Sequence, residues 1–133
     1  MISLLKKLSY FNLLIGIIDF MISKSNYTSW PNLALLLFPL LFNWQILQKI
    51  KLQSLKLKEF HLGIWQYIFG TLTVIYALIL ISTSFSLLII TNHNYIGLFF
   101  GVKDMLFALT ISMHFILSIR LKNSLGKIKQ FNP

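Results

Sequence analysis

The sequence predicts an all-α integral membrane protein: a bundle of four transmembrane helices, built as two antiparallel helical hairpins with both ends in the cytoplasm. Three observations carry that expectation. The chain is too apolar for water, its apolar residues gather into four long blocks, and its cations flank those blocks on one side.

Of 133 residues, 56% are hydrophobic and 11% are charged. A soluble domain this small has a high surface-to-volume ratio, and monomers in water rarely expose apolar patches beyond roughly a few hundred Å². Lipid is the solvent that fits this composition. A formal charge of +9 would suit nucleic acid if it were clustered on a folded surface. It stands instead at the edges of apolar blocks, where it orients a chain in a bilayer and meets anionic headgroups, so no nucleic-acid partner is expected. The absence of cysteine excludes disulfides, thiolate metal sites, iron–sulfur clusters and thiol redox chemistry together.

A helix needs about 20 mostly apolar residues to cross a hydrocarbon layer about 30 Å thick, because lipid offers the backbone no hydrogen-bond partner. Four blocks qualify within a single domain over 1–133: about 8–23, 30–48, 62–91 and 95–119. The first is short, but Lys6 and Lys7 can snorkel and let Ile2, Leu4 and Leu5 extend it. No small-x-small cleavage site follows it, and further spans come directly after, so it reads as a retained span rather than a signal peptide. In the second, Pro39 removes a backbone donor and is expected to kink the helix. The third and fourth are joined by the short turn 91–94, which makes them an antiparallel neighbouring pair.

Orientation follows from the cations. Lys6 and Lys7 precede the first span, a basic loop over 49–61 carries Lys49, Lys51, Lys56 and Lys58, and the tail over 120–133 carries Arg120, Lys122, Lys127 and Lys129. Only Lys24 stands on the opposite side, so the loop, the tail and both termini are placed in the cytoplasm. The aromatic residues agree: Tyr27, Trp30 and Tyr95 fall at the outer interface, and Trp44, Trp65 and Tyr67 nearer the inner one. The basic loop reads as a helical extension of the second span with snorkelling lysines.

In membrane helices, small and polar residues turn away from lipid and mark the packed face. In the first span that face holds Ser9, Asn12, Gly16, Asp19 and Ser23; in the second it holds Asn32, Pro39 and Asn43. The third has a seven-residue seam of Gly63, Gly70, Ala77, Ser84 and Thr91, the spacing of a left-handed packing contact. The fourth opens with a small-xxx-small motif, Gly97 and Gly101, continued by Asp104, Ala108 and Ser112, a face expected to pack on the third span. About 100° away stand Lys103, Phe107, Thr110 and His114. A helix polar on two adjoining faces belongs in the centre of the bundle.

An ionised group in the bilayer costs roughly 2.5–3.5 kcal/mol on insertion scales, so Asp19, Lys103 and Asp104 each need a partner. Lys103 is expected to pair with Asp19, with Asp104 as the competing partner. His114 is expected at about the depth of Asn12, hydrogen-bonded to a neighbouring helix. His61 and His114 allow a bis-histidine haem as a remote reading, and His93 falls in the outer turn. No cofactor is expected, and no cluster with metal-ligand spacing is seen. No nucleophile–base arrangement or phosphate-cradling loop is visible, so an enzyme is not expected.

The role that these features favour is a small multi-pass protein acting through helix–helix contacts. It would be a subunit of a membrane complex or an inhibitor or immunity-type partner, joined to other membrane subunits or to itself. The alternative is a small transporter or channel whose path is lined by Asp19, Asn12, Asn43, Lys103, Thr110 and His114. Richness in Ile, Leu, Lys, Asn and Phe fits an AT-rich bacterial coding sequence and hence a bacterial inner (cytoplasmic) membrane.

Overall fold

The computed structural model describes the backbone over 1–25, 30–52, 62–90 and 95–131, with side chains over 1–22, 34–51, 62–90 and 95–123. The described chain is all-helical. It has four helices: α1 (Ile2–Ser25), α2 (Trp30–Leu52), α3 (Ile64–Ile90) and α4 (Tyr95–Phe131). Two of them, over Ile64–Ile90 and Tyr95–Asn123, are long and apolar enough to cross a membrane. The other two interrupt their apolar runs with Asn12, Asp19 and Asn43.

Helix ends depart from the expected spans at the basic flanks. Residues around Lys6, Lys7, Lys49, Lys51 and Arg120 have straight side chains that favour the helix, so α1 starts at Ile2, α2 runs to Leu52 and α4 to Phe131. The third helix starts later than expected. Gly63 stands before it, its N–H donating to Gln66 Oε1 at 2.8 Å, while its carbonyl accepts from the backbone N–H of Gln66 and Tyr67. That is half of a capping box. The expected packing role of Gly63 is therefore corrected: it is exposed and caps α3, and the packed seam begins one heptad later.

From there Gly70, Ala77 and Ser84 are buried on α3. A Cβ on Gly70 would lie 2.2 Å from Cε2 of Phe115, so this ring of α4 requires a glycine opposite it. On α4, Gly101 is buried against Leu88 and the Ser84 carbonyl, Ala108 is buried, and Gly97 is half-buried. Ser23, Asn32 and Thr91 lie outside the residues whose side chains are described.

Helix α3 packs most extensively on α4, α1 packs on α2, α2 on α3, and α4 closes on α1, while α2 and α4 touch across the diagonal. Neighbours run antiparallel where paired residues can be followed. Along α1 and α4 the pairs are Ser9 with His114, Asn12 with Thr110, and Asp19 with Lys103, one helix rising as the other descends. Along α3 and α4, Tyr67 meets Lys122 and Gly70 meets Phe115. Two apolar clusters fill the interior. One joins Leu5, Phe42, Ile46, Ile50, Leu62 and Leu121; the other joins Leu36, Tyr76, Ala77, Phe107, Ala108 and Ile111.

Polar side chains are buried beside these clusters, and large apolar ones cover much of the outside. Ser9, Asn12, Asn43, Thr73, Ser84, His114 and Ser118 are buried. Each helix meanwhile turns large apolar side chains outward: Leu14 and Ile17 from α1, Leu37 and Leu41 from α2, Leu78 and Ile89 from α3, Leu109 and Ile116 from α4. Leu78 is 62% exposed and Ile89 63%, against 1% for Asn12 and none for His114.

Candidate functional site

The candidate site is a line of polar side chains along the contact between α1 and α4, with α2 contributing at its middle. On α1, steps of three and four residues bring Ser9, Asn12, Gly16 and Asp19 to one face. That spacing is what lets a single helix supply the whole line. Gly16 takes no side chain here because a Cβ would lie 2.5 Å from Cδ2 of Leu40 and 3.6 Å from Cζ of Phe107.

At the lower part of the line, toward the α1 N-terminus, Ser9 Oγ lies 2.6 Å from His114 Nε2 and 3.0 Å from the Leu5 carbonyl. A hydroxyl has one proton. When that proton goes to Leu5 O, His114 carries its own on Nε2 and donates it to Ser9, which leaves Nδ1 as an acceptor. His114 is expected near Asn12 but sits one turn away, beside Ser9. Its ring is fixed by the edge of Phe42, with centroids 5.5 Å apart, and its carbonyl accepts from Ser118 Oγ at 2.8 Å.

In the middle, Asn12 Nδ2 donates to Asn43 Oδ1 at 3.0 Å and to the Thr110 carbonyl at 3.4 Å, joining three helices. Asn43 Nδ2 in turn donates to the Pro39 carbonyl at 2.7 Å. Asn12 Oδ1 and His114 Nδ1 are buried without a protein hydrogen-bond partner. Thr73, Ser84 and Thr110 direct their hydroxyls to carbonyls of their own helices rather than across the seam.

At the other end, Lys103 makes ion pairs with Asp19 and, at 2.8 Å, with Asp104 Oδ1. The expectation of competing partners is corrected: one ammonium bridges both carboxylates. Its three N–H donors allow this, since Asp104 follows it on the same helix while Asp19 reaches across from α1. The Phe100 ring lies 5.6 Å from the Lys103 ammonium. Two carboxylates and one ammonium leave the cluster with one negative charge. Tyr76 of α3, marked by no sequence pattern, lies within electrostatic reach of both carboxylates.

At the opposite end of the molecule, burial lowers the Lys49 ammonium below the usual lysine pKa. Among the described residues, no three His, Cys, Asp or Glu side chains gather as a metal site would require. His61 and His93 lie outside the described residues. The six polar candidates Asp19, Lys103, Asp104, His114, Asn12 and Asn43 thus share one seam. Ser9 and the Thr110 carbonyl complete it, and of these only the backbone carbonyl left no trace in the sequence.

Fold and site together define an all-helical protein with a polar interior line and two helices able to cross a membrane. No protein-family model, curated protein or solved structure matches the chain.

Proposed function

We propose that this chain is a multi-pass membrane protein, spanning four times with both ends in the cytoplasm, that works through helix–helix contacts inside a membrane complex. The observation that carries the reading is the outward apolar surface: all four helices turn large apolar side chains outward, while Asn12, Asn43, Ser9 and His114 are buried beside the apolar clusters. In water such a surface would aggregate; in lipid it is the expected one. A soluble core helix would be mostly enclosed, whereas 22% of the most apolar stretch of α3 is buried.

Contact rather than chemistry is favoured because the interior polar groups bond mainly to one another or to backbone carbonyls, and the outward face of α3 offers apolar surface and hydroxyls. Ser82, Thr83 and Ser86 of α3 are exposed, small and suited to close approach of another helix. The partner is a subunit of a complex, a protein that this chain inhibits or protects against, or a second copy, in a bacterial inner membrane. Native mass spectrometry in lipid tests this, with a stable hetero- or homo-oligomer expected and a strict monomer against it. Topology is read by cysteine labelling, for which a chain without native cysteine is well suited. Asn26→Cys should react with an impermeant maleimide on intact cells, and Ser54→Cys should not.

A transporter is the second reading, favoured by one specific observation: Asp19, Lys103, Asn12, Asn43, Thr110 and His114 all lie along a single interior seam. It requires a flux in proteoliposomes that Asp19→Asn or Lys103→Met abolishes while the protein still folds. Absence of wild-type flux across varied pH and potential removes it.

A further inference from the structure

Six of the described cations form a rim at one end of the molecule. The cluster Leu5, Ile50, Leu62 and Leu121 brings together the start of α1, the end of α2, the start of α3 and the lower part of α4. Lys6, Lys7, Lys49, Lys51, Arg120 and Lys122 stand around that point. Among the described side chains no carboxylate does, since Asp19 and Asp104 are at the far end of the seam.

Two of the ammonium groups are held over aromatic rings that belong to neighbouring helices. Lys122 Nζ donates to Tyr67 Oη at 2.6 Å and lies 4.9 Å from that ring, and Lys51 Nζ lies 5.6 Å from the Tyr10 ring. An ammonium has three donors. Holding Lys122 by one of them fixes its position and leaves two for another acceptor. Trp44 and Trp65, 54% and 66% exposed, stand just inside this rim, at the level where indoles partition between headgroup and hydrocarbon.

We infer that this rim binds acidic phospholipid headgroups, with Lys122 on Tyr67 and Lys51 on Tyr10 as its positioned phosphate contacts. The inference rests on the membrane reading above and names the lipid partner of that surface. Charge complementarity selects the occupant: six cations with no carboxylate beside them among the described side chains, bordered by exposed indoles, fit anionic headgroups above an apolar belt. A lysine near an anionic surface favours binding by about 1 kcal/mol, or about fivefold.

The test uses the full chain with Trp30→Phe, so that fluorescence reports Trp44 and Trp65, in bilayers of phosphatidylcholine and phosphatidylglycerol. One lipid at a time is brominated on its acyl chain and quenches indoles that it touches. Brominated phosphatidylglycerol should quench several-fold more than its share of the bilayer predicts. Lys122→Gln and Lys51→Gln should each reduce that preference by up to about fivefold, and high salt should reduce it in the unsubstituted chain as well. Equal quenching by the two lipids overturns the inference and leaves the membrane reading standing. No quenching by either lipid overturns the membrane reading itself. Should either glutamine variant fail to fold, the lipid comparison and the salt series on the unsubstituted chain still decide the question.

Discussion

Ser9 and His114, separated by most of the chain, lie 2.6 Å apart between α1 and α4, both out of contact with solvent. Ser9 gives His114 Nε2 the partner it would otherwise lack in a buried position, while the Ser9 hydroxyl also bonds the Leu5 carbonyl. Ser9→Ala removes one side of this pair. In water such a loss costs about 1–3 kcal/mol, while couplings inside membrane proteins average about 0.6 and reach about 1.7 kcal/mol. The coupling between Ser9→Ala and His114→Leu, measured by reversible unfolding in mixed detergent, should fall in that lower range. Strict additivity of the two substitutions would mean that the contact contributes nothing.

Lys103 bridges Asp19 and Asp104, and its removal has a different consequence from removal of either acid. Lys103→Met leaves two carboxylates facing one another without a cation, whereas Asp19→Asn leaves a neutral Lys103–Asp104 pair. The lysine substitution should cost more, about 1–3 kcal/mol for a half-buried cluster between the exposed and buried extremes. Asp104→Asn should cost least, because its side chain is 28% exposed against 12% for Asp19. Unfolding of the three variants side by side checks the order, and an Asp104→Asn variant weaker than Lys103→Met would contradict it.

Gly70 faces Phe115 across the α3 and α4 contact. Gly70→Ala forces the ring aside and should destabilise by about 1–3 kcal/mol, the usual result of overpacking. Phe115→Leu in the same chain opens the space and should recover part of that loss. Failure of the second substitution to help would place the strain elsewhere.

Gly63 behaves in the opposite way because it caps a helix rather than packing one. Gly63→Ser supplies a side-chain oxygen for the first turn of α3 and should leave stability unchanged or raise it by a few tenths of a kcal/mol. A loss as large as that of Gly70→Ala would restore Gly63 to the packed seam.

Much of the interior face was legible before any coordinates. The period of a helix places Ser9, Asn12, Gly16 and Asp19 on one line, and the same arithmetic collects Gly70, Ala77 and Ser84. Gly63 obeys the same seven-residue spacing and still lies outside the seam. Spacing cannot tell a packed glycine from a capping one without knowing where the helix begins. Its signal was Gln66, three residues on, the position whose side chain reaches back to the first free N–H. His114 meets Ser9, one turn from Asn12, because packing sets the offset between α1 and α4. Counting residues from each end does not include that offset.

Local chemistry alone settles a good deal about this chain: helical periodicity, the apolar stretches of α3 and α4, and the face of each helix that carries its polar groups. These follow from backbone geometry and side-chain type, which act over a few residues. Which face meets which helix is decided only in the tertiary structure. That Lys103 holds two acids at once, that Asn12 joins α2 to α4, and that Ser9 rather than Asn12 receives His114 depend on the register between helices distant in sequence. Register is set by the packing of large groups against small ones, such as Phe115 on Gly70 and Leu40 on Gly16, and no single segment contains both halves of such a contact.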